Sequence, residues 1–574
     1  MNILGVTGPA LHDNSAALFV DGKLVAAAEE ERFIRVKHAK RRQPINAIRF
    51  CLEQARLRPE QVDVVAYPYS PIGLSSPARW HYARRHWYEP GRALQALYDG
   101  NQKLRRKTAS VLALLDQVGI GAQRVRFVPV EHHLAHASSA YHLSGFDQKT
   151  AIVSIDGKGE YATMFFGWGE NGRIHRIREF YDPDSLGWLY GAVTEYLGFE
   201  IQDGEYKVMG MAPYGDPRRF DLSRLVRRGA GDFRVNTRLI NVIGRRRHRA
   251  NGRTYDFSDA FVRWLGPVRA GDDIDEPYIH YAAAAQKLLE DAALELIDHY
   301  VGDIVRETGR LCFAGGVALN VKLNQRLLQW PHLESLFVQP AAGDAGTSVG
   351  AASHAAAALG DHVQRLEHVY LGPSFSTDEC IAACRDHPQR PRWTRLADAP
   401  SRAAEIIADG NPLAWFQGRM EFGPRALGNR SILGDPGRAG MAERINAQIK
   451  YRERWRPFCP SMLESVARDV LQSGHPAEFM TIAFAVAPHW HARIPEVVHK
   501  DGTARAQVVS EAANPRFHRL IRELERRSGN AVVLNTSMNR RGEPIVCAPA
   551  DALDMFFGSD LQFLIMEDLL LAKA

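Results

Sequence analysis

Two histidines four residues apart, His132 and His136 in Glu131-His132-His133-Leu134-Ala135-His136-Ala137, are the residues whose type and spacing most directly suggest chemistry. On a helix such positions share a face, so both imidazoles can reach one divalent cation while His133 points elsewhere. Spacing alone does not separate a metal site from capping or packing. Two acidic turns, Ile155-Asp156-Gly157-Lys158-Gly159-Glu160 and Ala342-Gly343-Asp344-Ala345-Gly346-Thr347, each follow a strand-like stretch and can each supply a carboxylate. Two imidazoles with Asp156 and Asp344 suit zinc, manganese or iron better than calcium or magnesium, which prefer all-oxygen shells.

Such ligands need a scaffold, and the N-terminal part supplies one twice. Residues 2–31 read as strand, polar turn (Gly8 to Asn14), strand, Asp21-Gly22 turn and strand. Residues 150–179 repeat that order, with Asp156 in the first turn and Asn171-Gly172 in the second. Asp-Gly and Asn-Gly between alternating strands are strong hairpin signals, and two such meanders followed by helical sequence predict a duplicated α/β domain. In folds of this kind the polar turns face each other across a cleft that holds a nucleotide's phosphates. Leu311 to Asn320 adds a buried-type strand running into Gly315-Gly316 and a helix, where backbone amides can approach an anion. A plain tight strand-to-helix turn explains the same residues.

Gly372-Pro373 marks a boundary, so the expected domains are 1–360 and 370–574. The second alternates helical stretches with apolar strands and gathers cations in its turns: Arg419, Arg425, Arg430, Lys450, Arg452, Arg456 and Arg505. Guanidinium forks match phosphate oxygens bidentately, so arginines among Gly418, Gly423, Pro424 and Gly428 can close around a polyanion. A surface loop paired with acidic neighbours is the bland alternative.

The bulk composition excludes several classes. A chain of 574 residues is too long for one hydrophobic core, and 45% hydrophobic with 24% charged residues is ordinary for a globular protein. The net charge of +6, from 72 basic and 66 acidic side chains, is too dilute for a nucleic-acid face. The one dense run, Arg245-Arg246-Arg247-His248-Arg249, can clamp a polyanion or be a solvated loop. Six cysteines without a Cys-x-x-Cys pair indicate neither zinc ribbon nor disulfide framework. With no signal-peptide pattern and no apolar run of membrane-spanning length, a cytoplasmic location is expected.

Longer motifs identify a family. Phe416 to Ser431, Arg456-Pro457-Phe458, Asp501 to Arg505 and Asn535 to Asn539 resemble the O-carbamoyltransferase family of nodulation-factor, cephamycin and tobramycin biosynthesis. So do His12 to Ala17, Glu29 to Phe33, the histidine pair, Glu205 to Gly210, Gly315 to Asn320 and the Asp344 turn, so the resemblance runs the whole chain in order. It implies an N-terminal domain similar to the actin and sugar-kinase fold and a C-terminal domain similar to the YrdC carbamoyl-AMP-forming module. The C-terminal domain would condense carbamoyl phosphate with ATP, bound with Mg2+, into carbamoyl adenylate and pyrophosphate. The N-terminal domain would pass the carbamoyl group to a hydroxyl of a small molecule.

By that resemblance Lys450, Arg456, Arg505 and Arg425 neutralise the two polyanions, with Asn535 and Ser537 as hydrogen-bond partners. His12 is the expected base for the acceptor hydroxyl, and His38 is either its helper or a surface histidine in a basic loop. Iron is the metal the resemblance suggests for His132, His136, Asp156 and Asp344, binding the adenylate's phosphate. Gly157, Gly159, Lys207, Gly315, Gly316 and Asn320 are the expected nucleotide contacts of the N-terminal domain. Some relatives carry an acidic residue where this chain has Ala10. Residues 75–110 and 230–275, the first rich in aromatics and arginines, match no family motif; acceptor pocket and interdomain packing explain them equally. A tRNA- or protein-carbamoylating relative and an actin-like nucleotide-binding regulator without chemistry are the rival readings. The acceptor is not named by any motif, and a homodimer is the expected assembly.

Overall fold

The computed structural model describes residues 1–8, 12–271 and 273–573, so Ala10 lies outside the described residues. The fold is mixed α/β. Two hairpin-led segments build two five-stranded sheets with the same layout. The first contains β1 (Asn2–Thr7), β2 (Ser15–Val20), β3 (Lys23–Glu29), β4 (Val64–Tyr67) and β5 (Arg126–Pro129), in the order β3-β2-β1-β4-β5. The second contains β6 (Thr150–Ile155), β7 (Ala162–Glu170) and β8 (Arg173–Tyr181). Two short hairpins follow, β9 (Val226–Gly229) with β10 (Asp232–Val235) and β11 (Arg249–Ala250) with β12 (Arg253–Thr254). The second sheet is completed by β13 (Arg310–Ala314) and β14 (Ser335–Val338), giving β14-β13-β6-β7-β8.

In each sheet the leading strand pairs antiparallel with its hairpin partner and parallel with a later strand. The duplication expected from the sequence is therefore present in strand order and direction. Its turns follow from their residues: Asp21 and Gly22 have φ of 46° and 77°, Asn171 and Gly172 of 50° and 74°. Left-handed backbone at both central positions matches the twist of paired strands, and Asn, Asp and Gly adopt it at least cost. Parallel β6 and β13 carry almost uninterrupted buried runs, as strands covered on both faces do, while β14 at the sheet edge alternates half-buried and buried residues. The helices His132–Ser144 and Thr347–Ala358 cross closely, since a Cβ on Gly350 would stand 1.8 Å from the Ala135 carbonyl oxygen.

The contacts divide the chain into two compact units. One holds β1, Ser15–Leu24 and Leu57–Leu366; the other holds residues 12–14, Val25–Arg56 and the chain from Glu367 onward. The second unit is built on a mixed sheet of β15 (Thr394–Arg395), β16 (Leu413–Phe416), β17 (Arg430–Gly434), β18 (Cys459–Leu463), β21 (Gln507–Val509), β22 (Val532–Ser537), β23 (Phe563–Met566) and β24 (Leu569–Ala572). A separate pair, β19 (Phe484–Ala485) and β20 (Thr503–Ala504), lies beside it in the chain order. The large sheet runs β15-β24-β23-β16-β17-β22-β18-β21. Helices Ala399–Ala408 and Pro515–Ser528 cover one apolar face with Ile407, Phe517, Ile521 and Leu524 against Trp415, Leu433 and Val533.

Candidate functional site

In the first unit, four predicted ligands meet at the carboxyl ends of parallel strands, where open α/β sheets place their sites. Asp156 follows β6 directly, Asp344 opens the turn that leads into helix Thr347–Ala358, and His132 begins helix His132–Ser144. The Nε2 atoms of His132 and His136 are 3.2 Å apart. His132 Nε2 is 3.8 Å from Asp156 and 3.5 Å from Asp344, and His136 Nε2 is 3.7 Å from Asp344. Donor atoms of a tetrahedral site with bonds of about 2.1 Å stand about 3.4 Å apart, so these separations suit one cation.

Electrostatics agree. Both imidazoles are fully buried, and their Nδ1 atoms have no hydrogen-bond partner among the described residues, which leaves Nε2 as the atom presented to the carboxylates. Burial alone would lower the pKa of His132, but Asp344 and Asp156 outweigh it and raise it far above the usual histidine range. A positive charge is thus demanded between these groups, as proton or as metal. His133 points away, to Ser154 Oγ at 3.0 Å.

The surroundings hold the ligands in place. Gly316 N–H donates to Asp156 at 2.6 Å, so Gly315 and Gly316, after β13, orient a ligand. A side chain at Gly159 would put its Cβ 2.7 Å from the Cβ of His132. Gly157 lies against Trp188. Asn320 caps the helix Val321–Leu328 through Leu323 N–H and exchanges two hydrogen bonds of 2.9 Å with Gln286. Lys207 Nζ stands 5.2 Å above the Phe199 ring. Glu160 accepts from the backbone N–H of Ser70 at 2.7 Å and of His132 at 3.3 Å. Tyr69 stacks on His132 with centroids 4.9 Å apart, and Lys107 Nζ lies 4.1 Å from the centroid of the Tyr69 ring. Sequence reasoning missed Tyr69, Lys107 and Glu160 as neighbours; only the Glu in the acidic turn carried a signal.

In the second unit, one carboxylate joins the two histidines assigned to the acceptor. Asp13 Oδ2 is 3.0 Å from His12 Nδ1, and Asp13 Oδ1 is 2.8 Å from His38 Nδ1. Burial acts to raise the Asp13 carboxyl, but hydrogen bonds from His12 and His38 outweigh it and hold its pKa below the ordinary value. Asp13 N–H donates to the His38 carbonyl at 2.7 Å, and His38 N–H to Glu31 at 2.5 Å. Both Asp13 and His38 have left-handed backbone, φ 56° and 59°, which turns the two short segments toward each other.

The predicted cations of this unit separate into two groups. Arg419 gives its donors to the carbonyls of Gly372, Val25 and Leu371, and the fully buried Arg430 gives its own to Gln417, Gly418, Asn429 and Pro373 while covering Phe416. These two build the loop. Lys450 is buried and donates to Ser537 O, Ser537 Oγ, Asn539 O and Asn539 Oδ1 at 2.5–3.2 Å. Burial first, then the charges of Arg452, Arg456 and Lys37, holds its pKa well below the lysine range. Lys37 neighbours His38, so the cationic cluster and the histidine pair belong to one region of the same unit. Arg456 pairs loosely with Glu453 at 3.5 Å, and Arg505 Nε points at Cys459 Sγ, 3.2 Å away. Asn535 Nδ2 reaches Ser461 at 3.0 Å while its Oδ1 is buried without a partner among the described residues; Ser537 Oγ donates to Asn539 at 2.7 Å. Arg425 is half-buried on the 419–430 loop.

The two unplaced segments anchor the turn after β8. Asp184 accepts from His81 at 2.9 Å, from Arg85 at 2.6 Å and from Val235 N–H at 2.9 Å, and His86 meets Asp182 at 3.0 Å. Of the basic run, Arg247 donates to the Thr254 and Tyr255 carbonyls and Arg246 covers Tyr88 at 4.2 Å.

Two family models match the chain. Residues 2–353 match the family model of the carbamoyltransferase N-terminus, and residues 404–573 that of the carbamoyltransferase C-terminus. The nodulation protein NolNO of Sinorhizobium fredii is 36% identical over 100% of this chain and 80% of its own length. The uncharacterized protein sll1178 of Synechocystis is 35% identical over 100% of this chain and 97% of its own. The nodulation protein NolO of Bradyrhizobium diazoefficiens is 36% identical over 77% and 79%. Among the described residues, no helix is long and apolar enough to cross a membrane.

Proposed function

Because the chain belongs to the carbamoyltransferase family and is an enzyme of that kind, we propose that it activates carbamoyl phosphate with magnesium-bound ATP and carbamoylates a hydroxyl of a small-molecule natural product, an antibiotic or glycoside. The observation that carries this reading is the convergence of His132, His136, Asp156 and Asp344 in a chain that also gathers His12, His38 and the Lys450 cluster.

In the first step water releases phosphate from carbamoyl phosphate, leaving carbamate. A carbamate oxygen then attacks the α-phosphorus of ATP, the bond to the β-phosphate oxygen breaks, and pyrophosphate leaves with the electron pair. An anionic carbamate must approach a polyanionic triphosphate, so charge repulsion opposes the step. Lys450, Arg456, Arg505 and Arg425 supply the opposing charge, with Asn535 and Ser537 as hydrogen-bond partners. Crowding of Lys450 with Arg452, Arg456 and Lys37 supports this role, because such a cluster is relieved by an anion.

In the second step the acceptor oxygen attacks the carbamoyl carbon, the carbon–oxygen bond to AMP breaks, and the hydroxyl proton goes to His12. Asp13 favours this, since a proton on His12 Nδ1 shared with the carboxylate leaves the Nε2 lone pair as the base. A divalent cation, iron by family resemblance, held by His132, His136, Asp156 and Asp344 would supply fixed positive charge for the nucleotide's phosphate. Gly157, Gly159, Lys207, Gly315, Gly316 and Asn320 shape the surroundings of that phosphate and its nucleoside.

The test is pyrophosphate release from ATP and magnesium with and without carbamoyl phosphate. Release that depends on carbamoyl phosphate supports the first step; release at the blank level rejects it.

A further inference from the structure

Lys107 lies in the helix Gln102–Gln117, and its ammonium sits over the Tyr69 ring beside the candidate metal site. Its Nζ rests 4.1 Å from the centroid of the Tyr69 ring, and that ring is stacked on His132, one of the ligands. Lys107 also lies in the field of Asp344, a ligand, and of Glu160, whose carboxylate holds the backbone of His132. Among the described residues its three donors meet no hydrogen-bond acceptor, although the side chain is half-buried. The Tyr69 hydroxyl, equally without a hydrogen-bond partner there, lies among the same carboxylates while its residue is only 7% exposed.

Charge counting shows what this cation changes. Asp156, Asp344 and Glu160 contribute three negative charges; of the two other nearby lysines, Lys103 is exposed to solvent and Lys158 is engaged by Asp182. With a divalent cation bound, the cluster would keep one negative charge without Lys107 and be neutral with it. A net negative wall repels an anion; a neutral one carrying a free ammonium does not. An ammonium is a compact donor of three hydrogen bonds and suits phosphate oxygens as a point charge.

We propose that Lys107, seated on Tyr69, binds the phosphate of the nucleotide held at the His132, His136, Asp156 and Asp344 site, with the Tyr69 hydroxyl as a second donor. This rests on the reading of that site as a nucleotide-phosphate site. In this role Lys107 separates nucleotides from nucleosides, and it acts without being a metal ligand.

The experiment is calorimetric titration of AMP and of adenosine into the full-length, metal-loaded protein, with metal content and thermal unfolding measured on each variant. Lys107→Met is expected to weaken AMP by about tenfold or more, while adenosine affinity, metal content and melting temperature stay at wild-type values. Lys107→Arg, which keeps the charge, is expected to retain most of the AMP affinity. Equal AMP affinity in wild type and Lys107→Met would overturn the assignment, as would parallel losses for AMP and adenosine or loss of metal. Wild-type protein that holds AMP no more tightly than adenosine would sink the phosphate reading of the site itself, and Lys107 with it.

Discussion

Asp13 is a carboxylate shared by two imidazoles, and that sharing sets what each histidine can do. If Asp13 orients His12, then Asp13→Asn should lower acceptor carbamoylation by about 10²–10⁴-fold, the range for losing a positioned base or its orienting group. His12→Ala should lose at least as much. Pyrophosphate release dependent on carbamoyl phosphate should persist in both; its loss in step with transfer would remove His12 from the acceptor's chemistry. A second prediction concerns Gly159, where a Cβ would collide with His132. Gly159→Ala should lower the metal bound per protein chain, measured by elemental analysis, and unchanged metal content would show that the turn yields without moving the ligand. At this scale the convergence of His132, His136, Asp156 and Asp344 was legible, because i, i+4 spacing and two acidic turns are local signals. The meeting of His12 with His38 through Asp13 was not, since left-handed backbone at Asp13 and His38 closes it across 25 residues. Nor could charge patterning distinguish Arg430, sealed in the loop by carbonyls, from Arg456, because burial is not a property of charge pattern.

At the scale of elements, the helices His132–Ser144 and Thr347–Ala358 position three of the four ligands or their turns, so their packing decides whether the site persists. Behind the ligands they bury His142, which contacts Ser353 Oγ at 3.4 Å and the Gly172 carbonyl at 3.2 Å, and lies near His354. Burial, reinforced by His354, lowers the pKa of His142 to about 4. An unfolded histidine titrates near 6.5, so between these values the unfolded chain binds the extra proton and the folded one does not. Stability contributed by neutral His142 is therefore full above about pH 6.5 and is lost as pH falls toward 4. The melting temperature should drop through that window, and His142→Gln, which cannot titrate, should flatten part of the drop; an unaltered profile would show that His142 is not the group responsible. Both hairpin turns were legible as Asp-Gly and Asn-Gly, because their geometry depends on two residues. The roles of residues 75–110 were not, since Asp184, which His81 and Arg85 serve, lies about 100 positions away.

For the whole molecule, the net charge of +6 on 574 residues says little until the cations are located, and location is what gives them meaning. The first unit carries the group His132, His136, Asp156 and Asp344 that could hold a metal; the second unit carries the Lys450 cluster and the histidine pair. Family membership fixes carbamoyl transfer as the activity. In the proposed function, activation and transfer have separate requirements, with His132, His136, Asp156 and Asp344 serving transfer alone. The most direct measurement follows both reactions in protein stripped of metal by a chelator, then given magnesium and an acceptor carrying free hydroxyls. Pyrophosphate release is expected to continue near its native rate while carbamoylated product disappears and returns when the removed metal is restored. Equal loss of pyrophosphate release and of product would contradict it.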